Sequence, residues 1–362
     1  MAPATAIDDL RRRIDRIDEK ILALLNRRAR VAVQIGERKR HSQASIYMPD
    51  REKRIFQRLA ALNTGPLDAD AIRPIFREII AACLSLEQEL RIAFLGPLGT
   101  FSQQAVREQF GSRASLVPVP SLGAVFDEVE RGRADYGVVP VENSTEGIVA
   151  ATLDRFVTSP LTITAEIQLR VEQCLLARTT QLRHIRRVVS HAQSLAQCRQ
   201  WLAEHLPGVP QEEAASNAQA AEIARRTRGV AAIAGRAAAE CFGLKIVAAS
   251  IQDQPTNTTR FLVLGGDGEN RPSGDDKTSV LLTLSHEAGA LRRVLEPFAD
   301  NGVSISTIQS RPIKGRAWEY VFFLDLVGHA QEAPVARALA AAGERCASLK
   351  VLGSYPAALP PV

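Results

Sequence analysis

Cysteine is scarce in this chain of 362 residues, and apolar runs are short. None of the five cysteines forms a Cys-X-X-Cys pair, which argues against a zinc ribbon or a disulfide framework and is typical of a reducing cytoplasm. No apolar run approaches the roughly 20 residues that cross a bilayer, and the N-terminus lacks the apolar core of a secretory signal. We therefore expect a cytoplasmic protein without a membrane partner. The cysteines are Cys83, Cys174, Cys198, Cys241 and Cys346.

Excess positive charge is confined to one end of the chain. The net charge is +5, and the first 91 residues hold 18 basic and 13 acidic residues, whereas the remainder is balanced. Such a surplus can indicate a nucleic acid, an anionic lipid or an acidic small molecule as the partner. Acids are interspersed among the bases and no stacking aromatic residues lie beside them, so we expect no nucleic-acid partner.

Three patterns divide the chain into an all-α segment, an α/β segment and a smaller terminal module. Residues 1–91 show only helical periodicity, and residues 92–265 alternate short β-rich runs with helical stretches. The stretch from Gly265 to Asp276 is rich in Gly, Asp, Pro and Ser and is typical of a linker. Residues 277–353 then follow the ferredoxin-like βαββαβ order.

The first predicted helix carries an apolar stripe that is interrupted by cations. Arg28 occupies a stripe position, and Lys39 lies only ~20° away from it at about 100° per residue. Because an unpaired buried cation is costly, the two predict an anion in the pocket that they face. Arg11 lies roughly 100° from the stripe, so a partner subunit would have to present it there. The stripe predicts a helix dimer and consists of Ile7, Leu10, Ile14, Ile17, Ile21, Leu24, Val31 and Ile35.

Two further helices complete the predicted pocket. One is expected to begin near Pro49–Asp50 and carries Arg51 and Glu52 in its first turns. The other is expected to run from about Ala69 to Arg91, with Glu87 on its apolar stripe. Cations and carboxylates inside a helical bundle predict a pocket for a compact dianion. The alternative is a dimerisation module whose arginines are solvated.

This segment resembles the helical chorismate mutases over about 90 residues. The resemblance implies that Arg11 from the other subunit and Arg28 hold the two carboxylates of chorismate. Catalysis would come from holding the reactive conformer and from preorganised charge, because the rearrangement is unimolecular and needs no nucleophile. The matching residues are Leu10-Arg11, Asp18-Glu19-Lys20, Arg28, Lys39, Arg51-Glu52 and Glu87.

The same resemblance implies roles for the other charged residues. Lys39 and Glu87 would contact the ether oxygen, which gains negative charge as its bond breaks. Arg51 would lie near the ring carboxylate, and Glu52 would bind the ring hydroxyl. Many members have Gln at the position of Glu87, so this glutamate must be protonated to donate a hydrogen bond. Met48, where some members carry Asp, is a smaller departure.

Four motifs in the α/β segment place polar groups at the ends of predicted strands. Gly96–Ser102 and Ser190–Gln193 each follow a strand and open a helix, whose free N–H groups suit a carboxylate. Val139–Gly147 ends a β-rich run in consecutive polar residues, which lie at the ligand crevice of an α/β sheet. Asn257–Phe261 sets a threonine hydroxyl beside an arginine. The alternatives are ordinary turns and helix caps, which explain single residues of each motif.

In their order and spacing, the four motifs resemble the prephenate dehydratase family across residues 92–265. The resemblance implies two α/β lobes around a cleft, and loss of hydroxide and carbon dioxide from prephenate, driven by aromatisation. It implies that Thr259 takes the acid role, that Arg260 binds a carboxylate and that Phe261 packs against the ring. The implied substrate contacts are Asn143, Ser144, His191 and Gln193, with Thr100 and Glu142 as second contacts.

The C-terminal βαββαβ module resembles an ACT domain. In the dehydratase family, two parts of this domain bind phenylalanine at a subunit interface, and small residues such as Gly289 let the ligand approach the backbone. Gln309 stands where the family usually has Glu, which weakens direct pairing with an amino group. The alternative is a dimerising domain without a ligand. The implied phenylalanine-binding residues are Gly289, Ala290, Leu291, Gln309, Ser310, Arg311 and Pro312.

Together these features predict a bifunctional enzyme that forms at least a homodimer. It would rearrange chorismate to prephenate, convert prephenate to phenylpyruvate, and be inhibited by phenylalanine. Neither reaction requires a metal or a cofactor. The alternatives are a dehydratase with an impaired mutase domain, and a sensor that binds an amino acid or ketoacid without turnover.

Overall fold

The computed structural model describes residues 3–42, 47–265, 270–312 and 320–360. Within these ranges a helical unit, a two-lobed α/β unit and a four-stranded module follow one another along the chain. No helix in the described ranges is long and apolar enough to cross a membrane.

The helical unit consists of a long helix and two shorter ones. The last of them ends earlier than predicted, because Gln88 takes an extended conformation and Leu90 is buried in the core of the following unit. The predicted dimer stripe of the long helix is exposed in the single chain, with Ile14 57% and Ile17 54% accessible. The helices are α1 (Pro3–Ser42), α2 (Pro49–Leu62) and α3 (Ala69–Glu87).

The first lobe is built on a mixed sheet in the order β2-β1-β3-β11-β5, with β4 paired to β3. Strands β1, β2 and β3 run parallel, whereas β11 is antiparallel to both of its neighbours. The elements, numbered along the chain, are β1 (Arg91–Leu95), α4 (Phe101–Phe110), β2 (Ser115–Val119), α5 (Leu122–Glu130), β3 (Tyr136–Asn143), β4 (Gly147–Ile148), α6 (Ala150–Phe156), β5 (Thr162–Arg170) and β11 (Thr258–Gly265).

The second lobe is built on a sheet in the order β10-β6-β9-β7-β8. The chain enters this lobe through residues 171–173 and leaves it through residues 249–257, so two short segments join the lobes. A single 3₁₀ turn, Leu182–His184, precedes its second strand. The elements are β6 (Cys174–Ala177), β7 (Arg187–Ser190), α7 (Ala192–Gln197), α8 (Arg199–His205), β8 (Gln211–Glu213), α9 (Asn217–Arg226), β9 (Val230–Ala234), α10 (Arg236–Phe242) and β10 (Lys245–Ala248).

The C-terminal module has the predicted βαββαβ order and an antiparallel sheet arranged β13-β14-β12-β15. It packs on the first lobe through a shared apolar core, in which Phe323 and Leu352 join Phe156 and Ile163. Gly353 permits this contact, because a Cβ atom there would lie 2.2 Å from the carbonyl oxygen of Ile163. The elements are β12 (Asp276–Thr283), α11 (Ala290–Asp300), β13 (Ile305–Pro312), β14 (Tyr320–Val327), α12 (Ala333–Gly343) and β15 (Ser348–Pro356).

Candidate active sites

A first cavity of about 510 Å³ lies among α1, α2 and α3. It brings together five of the six residues predicted for the mutase site, although they come from three helices. Apolar side chains from the same helices form the rest of the wall, so a small organic acid would be held by charge at several points and by apolar contact elsewhere. The five predicted residues that line it are Arg28, Lys39, Arg51, Glu52 and Glu87.

Glu87 and Lys39 both line this cavity, and their pKa values are shifted in opposite directions. Burial raises the pKa of Glu87, and Lys39 only partly opposes that shift. Burial, reinforced by Arg51, lowers the pKa of Lys39, although Glu87 opposes the change. The Glu87 Oε2 atom is buried and accepts no hydrogen bond within the described part of the chain. Glu87 therefore keeps its proton to a higher pH than an exposed glutamate does.

Gly36 makes room for the Glu87 side chain. A Cβ atom at position 36 would lie 2.8 Å from Cγ of Glu87, so a larger residue on α1 would push α3 or its glutamate away. The absence of a side chain on one helix therefore sets the position of the carboxyl group on another.

Glu52 lies at the back of the same cavity and is almost fully buried. Its Oε1 atom is 4.0 Å from Nη2 of Arg77. Burial raises the pKa of Glu52, whereas Arg77 and Arg73 oppose that shift. One nitrogen of the Arg28 guanidinium already has a partner within the protein, because Nη1 donates to the carbonyl oxygen of Ile79 over 3.5 Å.

Arg11 lies outside the cavity, on the exposed part of α1. Its side chain is 74% accessible, and Nη1 is 3.3 Å from Oδ1 of Asp8 in the same helix. This position agrees with the expectation that a second copy would have to supply the residue, which stays a prediction.

Tyr47 also lines this cavity, although no sequence pattern predicted it as a site residue. Its ring packs against Phe110 and Tyr136 of the first lobe, at centroid distances of 4.8 and 5.2 Å. The Nε2 atom of Gln109 donates to its hydroxyl over 2.5 Å. The first lobe therefore shapes the mutase cavity, a contact that leaves no periodic signal because Tyr47 lies between two helices.

A second cavity of about 570 Å³ lies between the two lobes. The predicted residues that line it come from both lobes: Thr100, Asn143 and Thr259 from the first, and His191 and Gln193 from the second. The motifs that are far apart in sequence therefore meet at one cleft. Thr100, Asn143, His191 and Gln193 lie at or after the C-terminal ends of strands, and Thr259 lies at the start of β11, which is antiparallel to β3.

Thr259 and Asn143 lie opposite each other on paired strands, β11 and β3. The Nδ2 atom of Asn143 donates to Oγ1 of Thr259 over 2.8 Å and to Oδ1 of Asn257 over 2.9 Å. The Oδ1 atom of Asn143 accepts from the backbone N–H groups of Thr145 and Glu146, which fixes the amide orientation. Because Thr259 Oγ1 accepts from an amide, its own proton is directed elsewhere and is available for donation.

Helix N-termini supply the positive potential of this cleft. Thr100 caps α4 by accepting from the N–H of Gln103, and Ser216 caps α9 by accepting from the N–H of Gln219. Both caps line the cavity, as does His191 at the start of α7. The first N–H groups of a helix lack partners within the helix and carry partial positive charge, so carboxylates bind favourably at these ends.

Arg260 and Phe261 do not line the cleft, contrary to expectation. Successive side chains of a strand point to opposite faces, so Arg260 lies behind the sheet when Thr259 faces the cleft. There its guanidinium pairs with Glu166 over 2.5 Å and with Asp325 over 2.6 Å. Phe261 is buried in the core of the first lobe. The prediction of substrate contacts for these two residues is therefore corrected.

Ser144 and Glu142 are also absent from the lining of the cleft. Ser144 instead fastens the ends of two strands together, because its Oγ atom accepts from the N–H of Thr258 over 3.0 Å. Glu142 lies opposite Arg260 in the β3–β11 register. The predicted substrate contacts of Ser144 and Glu142 stay predictions.

Several amides and hydroxyls of the second lobe and of the segments that join the lobes also line the cleft, although no role was predicted for them. Gln173 is the most conspicuous, because its Oε1 atom is buried and has no hydrogen-bond partner in the described residues. Its Nε2 atom donates to Oγ of Ser194 over 3.1 Å and to Oε1 of Gln197 over 3.2 Å. Isolated glutamines and serines carry no sequence signal, so only the fold reveals this group: Gln173, Ser194, Gln197, Asn217 and Asn257.

The residues predicted to bind phenylalanine occupy two separate parts of the C-terminal module. Gly289 caps α11 with a φ of 79°, Ala290 is buried, and Leu291 lies on a shallow apolar face of that helix. Gln309 and Arg311 of β13 instead face the first lobe, where Arg311 is 3.2 Å from Asp154. Ser310 and Pro312, between and after them, are exposed.

Metal coordination has no candidate in the described ranges. No group of three or more His, Cys, Asp or Glu side chains is arranged there to hold a metal ion.

Comparison with known proteins agrees with this architecture. Family models match in order along the chain: chorismate mutase type II at residues 10–88, prephenate dehydratase at 92–269 and the ACT domain at 278–344. The chain is 46% identical over 357 residues to the bifunctional chorismate mutase/prephenate dehydratase of Aquifex aeolicus (strain VF5), with 98% of each chain covered. It is 44% identical over 365 residues to that of Stutzerimonas stutzeri, covering 99% of this chain and 100% of the relative.

A solved structure extends the comparison to the fold. A prephenate dehydratase from Arthrobacter aurescens, in complex with L-Phe, is 35% identical and superposes with a TM-score of 0.67, covering 74% of this chain and 90% of that one. A helical mutase cavity, a two-lobed dehydratase cleft and an ACT module on one chain define a two-step enzyme of aromatic amino acid synthesis. The chain belongs to the family of bifunctional chorismate mutase/prephenate dehydratases.

Proposed function

We propose that this chain rearranges chorismate to prephenate in its helical cavity and converts prephenate to phenylpyruvate in its two-lobed cleft. The observation that carries the proposal is the pair of separate cavities, each lined by a group that can donate a hydrogen bond to the substrate. In one, burial favours a protonated Glu87; in the other, Asn143 orients the hydroxyl of Thr259.

In the mutase step, the cavity holds chorismate in the conformer whose two ends can react. Arg28 and Arg51 pair with its carboxylates, and Glu52 accepts from the ring hydroxyl. As the ether bond breaks, negative charge develops on its oxygen, and Lys39 and protonated Glu87 donate to that atom. These donors are fixed before the reaction, so no reorganisation is needed when the charge appears.

A homodimer completes this site in the proposal. The apolar stripe of α1 is exposed in the single chain, and an exposed stripe of this length is typical of a helix that packs against another. Arg11, on the same helix, would reach the partner's cavity and add a second cation to one of these two carboxylates.

In the dehydratase step, the N-termini of α4 and α9 bind the carboxylates of prephenate. Thr259 donates its hydrogen bond to the ring hydroxyl, while Asn143 stabilises the charge that grows on Oγ1. The hydroxyl leaves as water with the proton of Thr259, which solvent water then restores. The ring carboxylate leaves as carbon dioxide, and the electron pair of the broken C–C bond completes the aromatic ring. The products are phenylpyruvate, water and carbon dioxide.

Phenylalanine is the proposed effector. The support is the ACT domain and the named relative that was solved with L-Phe bound. We also propose a cytoplasmic location, because the cysteines are free and such cysteines persist in a reducing compartment.

One assay tests the whole proposal. The purified chain is supplied with chorismate, and prephenate and phenylpyruvate are followed with and without phenylalanine. Successive appearance of the two products, with the second suppressed by phenylalanine, is expected. Turnover of added prephenate but not of chorismate would indicate an impaired mutase domain, and binding of prephenate without any product would indicate a sensor.

A further inference from the structure

Arg260 takes part in a buried ion cluster on the face of β11 opposite the cleft; we call β11 the catalytic strand because it carries Thr259. Its Nε atom donates to Glu166 of β5 over 2.5 Å, and Nη1 donates to Asp325 of β14 over 2.6 Å. Lys277 of β12 also donates to Glu166, over 2.8 Å. The charges of two cations and two carboxylates therefore cancel within the cluster. These ion pairs connect the first lobe to the ACT module.

Hydroxyl groups of the ACT module complete the cluster. Tyr355, which is fully buried, accepts from Nη2 of Arg260 over 3.1 Å. Ser279 contacts both Oδ1 of Asp325 over 2.5 Å and the hydroxyl of Tyr355 over 2.6 Å. Burial opposes the charge of Arg260, but its pKa is raised by Tyr355, Asp325 and Glu166, so the guanidinium stays charged. A partner removed from such a cluster leaves an uncompensated buried charge.

The cluster touches both the catalytic strand and the predicted effector strand. Arg260 follows Thr259 directly in β11, so any shift of its backbone moves the hydroxyl on the other face. Arg260, Asp325 and Gln309 of β13 all line one small cavity of about 30 Å³. Gln309 belongs to the predicted phenylalanine site. Strands β11 and β13 therefore both border this cavity, which has room for about one water molecule.

We propose that Arg260 is a positioning residue, which holds Thr259 in place by binding the catalytic strand to Asp325 of the ACT module. The ACT module thus forms part of the framework of the dehydratase site, in addition to any regulatory role. The proposal rests on the proposed dehydratase function, and it replaces the expectation that Arg260 binds a substrate carboxylate. A misplacement of about 1 Å at Thr259 is enough to lower turnover severely.

The test is Asp325→Asn in the full-length protein, with both activities measured on the same sample. The variant keeps the size of the side chain but leaves Arg260 with one fewer carboxylate. We expect the dehydratase kcat to fall by about tenfold or more with little change in KM, and the phenylalanine concentration for half inhibition to shift severalfold. Arg260→Lys keeps one ionic contact and should give a smaller fall in kcat.

Two controls separate positioning from general damage. The mutase rate of Asp325→Asn should equal that of the unmodified protein, since that cavity lies in the helical unit. Asp300→Asn removes one carboxylate from an exposed site at the end of α11, and should change neither activity nor inhibition.

Three results would overturn the proposal. An unchanged dehydratase kcat and an unchanged response to phenylalanine would show that the cluster does not position Thr259. Parallel loss of both activities would indicate a structural role only. A rise in KM at constant kcat for Arg260→Lys would restore direct substrate binding. Absence of dehydratase turnover in the unmodified protein would instead refute the proposed function itself.

Discussion

Glu87 makes the mutase site sensitive to pH at the scale of a single residue. Its pKa is raised by burial above the ordinary value of 4.5, so it stays protonated to a higher pH than an exposed glutamate. Only the protonated form can donate to the ether oxygen, and the donor is lost as pH rises through this raised pKa.

We therefore expect the mutase rate to decline with increasing pH over a range that begins above pH 4.5. Glu87→Gln keeps the shape and the donor but cannot ionise, so the part of the decline that comes from Glu87 should disappear. The dependence that remains comes from Glu52, whose pKa burial raises, and from Lys39, whose pKa burial lowers. The measurement is kcat/KM for chorismate against pH for both proteins. A level profile for the unmodified protein would contradict the role of a protonated Glu87.

Asn143 is predicted to act through the hydroxyl of Thr259. Asn143→Asp is nearly isosteric, but a carboxylate accepts a hydrogen bond from Thr259 instead of donating one to it. The threonine proton then points away from the substrate, and the dehydratase kcat should fall on the order of 10²-fold. The mutase rate measured on the same sample is the control. Equal dehydratase rates for the variant and the unmodified protein would contradict the arrangement.

Thr259→Ala is the more severe change at the same place. Loss of the hydroxyl should reduce dehydratase turnover by orders of magnitude, about the contribution of one proton donor. Chorismate turnover should be unaffected, because the helical cavity is separate. Retained phenylpyruvate formation would refute the assignment of Thr259.

Helix α1 is the element that sets the proposed assembly. Its apolar stripe faces solvent in the single chain, and Arg11 cannot reach the cavity of its own subunit. Ile17→Glu puts a charge on the stripe and should dissociate the helix pair, with loss of most mutase activity and retention of dehydratase activity.

Asn26→Glu is the matched control for that substitution. Asn26 is exposed and lies nine residues from Ile17, about half a turn away around α1 at roughly 100° per residue. It should leave both activities unchanged. The measurements are sedimentation and the two assays; full mutase activity in a monomeric Ile17→Glu protein would exclude a shared site.

Across the whole molecule, Lys53 fastens the helical unit to the first and last strands of the ACT module, which pair with each other. Its buried ammonium group donates to the side chain of Asp275 over 2.7 Å and to the carbonyl oxygen of Ala357 over 3.0 Å, as well as to the carbonyl oxygen of Asp275. Asp275 directly precedes β12, and Ala357 directly follows β15. One side chain on α2, next to Glu52, therefore joins the first and last units of the chain.

Lys53→Met should lower the free energy of unfolding by about 1–3 kcal/mol, because carbonyl and carboxylate acceptors lose their donor. Arg58→Met is the control, since Arg58 is exposed on the same helix. Denaturant unfolding measures the difference between the two variants. Equal unfolding midpoints and slopes would mean that the Lys53 contacts contribute nothing to stability.

The sequence by itself determined the order and the kind of the three units. Helical periodicity predicted the mutase bundle and the positions of Arg28, Lys39 and Glu87, because side chains on a helix repeat at fixed angles. The end of α3 was misplaced, since the apolar Leu90 continues the helical pattern although it belongs to the next core.

Only the tertiary structure decided which face of each strand reaches the cleft. Thr259 and Arg260 are neighbours in sequence, but strand pairing directs one to the cleft and the other to the ACT module. Tyr47 and Gln173 likewise acquire their roles from segments far away in sequence. Local patterns record the angle of a side chain within its own element, whereas contacts between elements depend on how the whole chain packs.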